Sequence, residues 1–287
     1  MPEDEKENDS GAGGKRGRTD GKRLLSPTQI TTFLACPRKW YYEYVLRLPV
    51  PDKFALVRGT VVHSVCEEFF HWRPAPGWTL EELVENMTDL AHSLLKESWA
   101  NEKVAERFGN ERWDETKAMI DRFLQLRRWK MEPVFDKYKD ASKAWNFTKP
   151  KFREHHVVDE ELGVQGYIDA VIENEPGDVV LIDYKTSSLF RHTISEEHEV
   201  QLYIYALLYE KATKVRPRYV SIEYLLYGQT VNYPIKPHTI DETRKLIEDI
   251  RSKTESKEIS DYQPNTGYKF CAWCDFRSTC QGKEPVH

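Results

Sequence analysis

A chain of 287 residues with 39% hydrophobic content can bury one large core or two modest ones. Its formal net charge of −5 supplies no global attraction to nucleic acid, so any phosphate binding must come from local basic patches or bound metal. No apolar run is long enough to span a bilayer, and Met1–Ser10 lacks the basic-then-apolar pattern of a secretion signal, so no membrane association is expected. The expectation is a soluble intracellular protein, cytoplasmic and nucleoid-associated if prokaryotic.

Residues 1–22 are rich in Gly, Asp, Glu and Lys and nearly devoid of apolar side chains. They cannot bury enough surface to offset their ordering entropy, which predicts a disordered tail over 1–24. The basic stretch 13–23 reads first as solvated tail, with a weak nucleic-acid contact or nuclear address as the alternative. Ser26-Pro27-Thr28-Gln29 combines an N-cap, a proline at the first helical position and a capping-box glutamine, predicting a helix to about Tyr44. A second helix after Gly59 carries His63 and Cys66, with Val62, Val65, Phe69 and Phe70 at helical spacing, and ends before Pro74-Ala75-Pro76-Gly77. Thr79-Leu80-Glu81-Glu82 opens a capped helix, and helical sequence continues to about Lys130, giving a helical insert over about 78–138.

The pattern then changes. Lys151–Glu161, Val164–Ile172 and Val179–Lys185 read as short strands, the last two joined through Asn174-Glu175-Pro176-Gly177-Asp178 into an antiparallel hairpin. Glu196–Lys211 fits a helix, Tyr219–Leu226 and Gln229–Ile235 fit strands, and Thr239-Ile240-Asp241-Glu242 caps a helix to about Lys257. The remainder is irregular and contains the cysteines. This order predicts one α/β domain over 25–287, a mixed central sheet flanked by helices.

Alternation along a strand turns Asp183 and Lys185 to one face and Ile182 and Tyr184 to the other. The hairpin sets Asp169 within reach of Asp183. Two carboxylates on otherwise apolar strands repel unless a cation neutralises them. A hard divalent ion such as Mg²⁺ or Mn²⁺ does so, lowers the pKa of a bound water and stabilises charge on a phosphodiester. Lys185 beside it could orient that water or stabilise the pentavalent phosphate. A bare Asp-x-Lys is most often an exposed ion pair, but the apolar run Val179-Val180-Leu181-Ile182 makes this strand a buried one.

These residues resemble the PD-(D/E)XK nucleases, in particular the RecB-like branch. Gly166-Tyr167-Ile168-Asp169 is similar to that branch's G-x-x-D strand and Asp183-Tyr184-Lys185-Thr186 to its D-Y-K-T strand. The resemblance implies a restriction-endonuclease-like fold in which Asp169 and Asp183 bind metal, Lys185 assists the water and the Tyr184 backbone carbonyl is a further ligand. It also implies a supporting role for Glu154. Gly59-Thr60-Val61-Val62-His63 is similar to the branch's G-x-x-x-H helix, which implies that His63 is a metal ligand. Gln201 and Tyr205, one helical turn apart, match its Q-x-x-x-Y motif, which is associated with positioning DNA. Tyr205 could equally be core, because Leu202, Ala206 and Tyr209 continue an apolar face.

Cys271, Cys274 and Cys280 put three thiolates in one short segment, and a tetrahedral metal or cubane cluster wants a fourth. Cys36 and Cys66 are the candidates; Cys66, on the helix of His63, reads as a small buried residue. Ligand softness does not separate Zn²⁺ from an iron–sulfur cluster. One upstream cysteine followed by C-x2-C-x5-C resembles the iron–sulfur RecB-like nucleases, including AddB and the fourth CRISPR-associated (Cas) family. That resemblance implies a [4Fe-4S] cluster on Cys36, Cys271, Cys274 and Cys280 that staples both ends of the domain.

Arg38-Lys39-Trp40-Tyr41-Tyr42-Glu43-Tyr44 interleaves basic and aromatic side chains, suited equally to single-stranded nucleic acid and to packing. Arg127, Arg128 and Lys130 of the insert are expected to form a wall over the site. The function expected is metal-dependent hydrolysis of DNA, as a single-strand exonuclease in repair, recombination or CRISPR spacer acquisition with protein partners from those pathways. The rivals are a catalytically inactive iron–sulfur DNA-binding or scaffolding subunit and a zinc-stapled interaction protein.

Overall fold

The computed structural model describes residues 18–19, 22–173, 178–187, 196–267 and 271–282. A five-stranded sheet in sequential order is formed by β3 (Phe152–Asp159), β4 (Val164–Glu173), β5 (Val179–Lys185), β6 (Tyr219–Tyr224) and β7 (Gln229–Pro234). Neighbours pair antiparallel except β5 and β6, which run parallel and are linked by the crossover helix α8 (Glu196–Thr213). The predicted mixed α/β architecture is therefore the one observed. The predicted turn 174–178 falls mostly outside the described residues, but β4 and β5 pair as expected, from Glu173 opposite Val179 to Ala170 opposite Ile182.

Helices cover both faces. On one side α1 (Pro27–Ala35), α8 and α9 (Pro237–Lys253) bury Ile30, Leu202, Ile204, Ile247 and Ile250 against Val164, Ile168, Leu181 and Ile222. On the other, α3 (Phe54–Glu68), α4 (Leu80–Asn101), α6 (Trp113–Tyr138) and α7 (Ala141–Thr148) pack Val61, Met87, Phe123 and Trp145 against Ala170, Ile172, Ile182 and Tyr184. A short α5 (Val104–Phe108) joins α4 to α6. The helical layer runs one helix past the predicted insert boundary at 138. Among the described residues no helix is long and apolar enough to cross a membrane.

Several predicted boundaries shift for identifiable reasons. The expected helix from Ser26 to Tyr44 breaks at Cys36, whose backbone is extended (φ −162°, ψ 108°), and resumes as α2 (Pro37–Trp40) and a π turn, Tyr41–Val45. Pro37 removes an amide donor and forces the residue before it out of the helical region. The helix of His63 begins at Phe54, five residues before Gly59. The last long helix starts at Pro237, not at a Thr239 cap: proline at its first turn outcompetes the capping box, and Thr239 lies inside with its carbonyl accepting from Thr243 Oγ1. The Thr79 capping box forms in full, with Glu82 N–H donating to Thr79 Oγ1 at 3.2 Å and Thr79 N–H to Glu82 Oε2 at 2.8 Å.

Residues 1–17 and 20–21 of the expected tail lie outside the described residues. Arg18–Thr19 (β1) and Lys22–Arg23 (β2) form a short antiparallel ladder. The Arg23 guanidinium lies 5.2 Å from the Trp40 ring centroid and 5.3 Å from that of Tyr44, and donates to the Tyr44 carbonyl at 3.0 Å. Cation–π contact thus ties this edge of the tail to the domain.

Trp40, Tyr41 and Tyr42 are buried, which resolves the basic–aromatic segment in favour of packing. Trp40 stacks on Tyr262 (5.5 Å, 14°), Tyr41 OH donates to the Lys257 carbonyl, and Tyr42 meets Phe276 at 5.7 Å. The N-terminal helix pair and the C-terminal segment are therefore one packed unit.

Candidate active site

Strands β4 and β5 part where the carboxylates lie. Their ladder ends at Ala170 opposite Ile182, and one step further the Tyr184 N–H donates to Asp169 Oδ2 at 2.7 Å. On its other side, Asp169 stands opposite Glu154 in the register of β3 and β4, at the one rung that does not pair. Glu154 has left-handed backbone there (φ 41°), a conformation costly for a residue with a Cβ and found where tertiary structure enforces it. Alternation breaks in both strands at this rung. In β3, Phe152 and His155, three residues apart, stack face to face at 4.4 Å, and in β4, Ile168 and Val171 enter the same core.

This distortion delivers Glu154 and Asp169 to His63, which reaches down from α3. His63 Nδ1 lies 3.3 Å from Asp169 Oδ1 and 3.9 Å from Glu154 Oε1. Among the described residues, these three are the group of acidic, histidine or cysteine side chains whose ligand atoms all fall within 4.8 Å of one another. Burial works against the imidazolium, but the charge of Asp169 and hydrogen bonds to Asp169 and Glu154 hold its proton well above the ordinary imidazole value. Burial would raise the Asp169 carboxyl, yet His63, the Tyr184 N–H and Lys185 keep it below the usual carboxylate range. Two carboxylates and an imidazole at this spacing suit a divalent cation, which would replace the shared proton.

Asp183 lies beside this trio and pairs with Lys185. The expected shared face holds: Lys185 Nζ is 2.9 Å from Asp183 Oδ2 and donates to Gln201 Oε1 at 3.1 Å. Gln201 Nε2 donates to Asp183 Oδ1 at 3.4 Å and to the Tyr205 hydroxyl at 3.0 Å. Burial raises the Asp183 carboxyl; Lys185 opposes this and the charge of Asp169 adds to it, so the value stays above the usual carboxylate range. Gln201 and Tyr205 of α8 thus join the site through one chain of hydrogen bonds. Tyr205 is also packed, as the core reading expects: a Cβ on Gly166 would sit 2.9 Å from the Tyr205 Cε1 atom. The glycine of the G-x-x-D strand is the space that this ring occupies.

Sequence reading undervalued Glu154 and missed two residues. Glu67, one helical turn beyond His63, has its carboxyl raised by burial and then by the charge of Glu154. Its i, i+4 spacing from His63 was a usable signal. Arg58 is buried beside Gly59; its guanidinium donates to the Thr186 carbonyl at 2.8 Å and pairs with Glu115 of α6, clamping the end of β5.

The expected wall of Arg127, Arg128 and Lys130 is not what forms. Arg127 is fully buried and pairs with the equally buried Glu223 of β6, and Lys130 donates to the same carboxylate at 2.9 Å. Arg128 stays at the surface, paired with Glu132. Burial of Glu223 in an apolar layer requires cationic partners, so two of the three face the sheet.

Cys36, Cys271, Cys274 and Cys280 together line a cavity of about 220 Å³. No three of their Sγ atoms lie within 4.8 Å of one another. Cys66 stands apart in the helical core, its thiol pushed up by burial.

A family model described as the PD-(D/E)XK nuclease superfamily matches residues 24–281. Comparison with curated proteins finds no match. A crystal structure from Eubacterium rectale named "Putative exonuclease" shares the fold at a TM-score of 0.51 and 13% identity, covering 92% of this chain and 91% of that one. A second structure, that of SSO0001, covers 79% of this chain and 97% of the other at 16% identity, with a TM-score of only 0.32.

Proposed function

This chain belongs to the PD-(D/E)XK nuclease superfamily, and on that premise we propose that it is a metal-dependent deoxyribonuclease that digests single-stranded DNA from its ends. The observation that carries the reading is the convergence of His63, Glu154 and Asp169 beside the Asp183–Lys185–Gln201 chain. Mg²⁺ or Mn²⁺ is the ion such a donor set suits, with Asp183 and the Tyr184 carbonyl as further ligands and the imidazole nitrogen favouring Mn²⁺. A divalent ion held by these residues would lower the pKa of a bound water and stabilise charge on the phosphodiester. Lys185, held by Asp183 and Gln201, points its ammonium at the same space, where it orients the attacking water and neutralises charge on the phosphate. Asp169 stays ionised next to it, and Tyr205 holds Gln201 in place through its hydroxyl.

The four cysteines are proposed to hold a [4Fe-4S] cluster. All four line one cavity, which supports a shared cluster, with structural Zn²⁺ as the alternative occupant. Joining Cys36 to Cys271–Cys280 would staple the N-terminal helices to the C-terminal segment that they already pack against. Repair, recombination or CRISPR adaptation, with the matching protein partners and an intracellular, nucleoid-associated location, are the settings in which this activity belongs.

The test is digestion of end-labelled single-stranded and duplex DNA by anaerobically purified protein with Mn²⁺, Mg²⁺ or EDTA, beside Asp183→Ala and Lys185→Ala. Metal-dependent cutting lost in both variants is expected. A brown protein that binds DNA without cutting would replace this reading with a scaffolding subunit.

A further inference from the structure

The G-x-x-D strand carries a side chain that the metal site does not use. Tyr167 is 46% exposed although its strand neighbours Gly166 and Ile168 are buried. Directly opposite it in the β3–β4 register stands His156, and the two rings stack at 4.5 Å with an interplanar angle of 16°. His156 Nε2 is in addition 3.2 Å from Gln165 Oε1, which fixes the imidazole plane across the ladder.

The orientation of this pair follows from alternation. Val157 and Ile168 enter the core beneath α1 and α8, so His156 and Tyr167 turn to the opposite face, the one on which α3 brings His63. Glu154 and Asp169 are two residues further along the same two strands. The stacked pair therefore lies roughly 7 Å along the sheet from the metal-binding trio, beyond the helical layer that covers Ala170, Ile172 and Ile182.

We infer that Tyr167, backed by His156, is a base-stacking subsite for an unpaired nucleotide adjoining the scissile phosphate. This rests on the nuclease reading above and deepens it. The imidazole covers one face of the phenol ring, and the exposure of Tyr167 leaves the other to a nucleobase. The pair and the trio sit two residues apart on the same two strands, so the platform adjoins the site where the scissile phosphate would lie. A base held in a duplex stack cannot reach such a platform, whereas every unpaired base offers the required π-face. Tyr167 positions substrate here; it moves no proton.

The experiment compares wild type, Tyr167→Ala and Tyr167→Phe for binding and single-turnover cleavage of an end-labelled oligodeoxythymidylate and of the same strand built from abasic nucleotides. Tyr167→Ala should bind the base-bearing strand roughly tenfold more weakly and leave the abasic strand unaffected, while Tyr167→Phe should keep the base dependence. Equal losses on both strands, or none on either, with wild type still cutting, would overturn the stacking subsite and leave the nuclease standing. A wild type that neither binds nor cuts DNA would overturn both.

Discussion

Replacing Glu223 with alanine should be among the most damaging single changes outside the metal site. Its carboxylate is fully buried between Arg127, also fully buried, and Lys130, which is one-third exposed. Burial alone would raise its pKa, and the two cations bring it below the ordinary value, so the pair is charged in the fold. Removal of the carboxylate leaves the Arg127 guanidinium in an apolar layer against the Phe123 ring, 4.7 Å away, with no anion, whereas Lys130 can turn to solvent. An uncompensated buried charge costs about 3–5 kcal/mol, which for a chain of this size lowers Tm by on the order of 10 °C. Urea unfolding followed by tryptophan fluorescence, with calorimetry, measures it. The double variant Arg127→Met/Glu223→Leu removes both charges and should regain all or nearly all of the loss. A Glu223→Ala loss below about 1 kcal/mol, or a double variant as weak as the single one, would refute the argument.

Other expectations concern the site more directly. Gly166→Ala puts a methyl 2.9 Å from the Tyr205 ring, an overpacking of about 1–3 kcal/mol that also displaces Gln201 from Lys185; cleavage should fall together with Tm. Gly59→Ala, whose methyl would meet only Thr186 Oγ1 at 3.7 Å, should be nearly silent in the same assays. In the metal-free protein the raised His63 value contributes stability that is complete below its ordinary pKa of 6.5 and is lost as pH rises through the folded value; the depressed Asp169 value contributes stability above 3.8 that is lost as pH falls. Because a cation must displace the His63 proton, Mn²⁺ affinity should increase as pH rises above 6.5, with proton release visible as buffer-dependent calorimetric heats; pH-independent binding without proton release would count against His63 as ligand. Cys271→Ala should lose the brown absorption near about 400 nm and stability along with it, while Cys66→Ala should keep the colour, and a coloured Cys271→Ala would exclude that cysteine as a ligand.

What could be read from the chain was whatever depends on neighbours within a turn or a strand. The Ser26 and Thr79 caps, the common face of Asp183 and Lys185, the one-turn spacing of Gln201 and Tyr205 and the mixed sheet follow from local spacing and periodicity, and all appear in the fold. The place of Glu154 was not legible in this way. It depends on the register of β3 against β4 and on a left-handed residue at the unpaired rung of that ladder. Arg127, expected with Arg128 and Lys130 in a wall over the site, is instead buried on a partner, Glu223, that lies 96 residues away. Composition made Trp40, Tyr41 and Tyr42 equally suited to nucleic acid and to core, and only the arrival of Tyr262 and Phe276 from the other end of the chain buried them. Capping hydrogen bonds and periodicity act over a few residues and are written in order along the sequence, whereas charge burial and ring packing are decided by whatever the fold brings from far away.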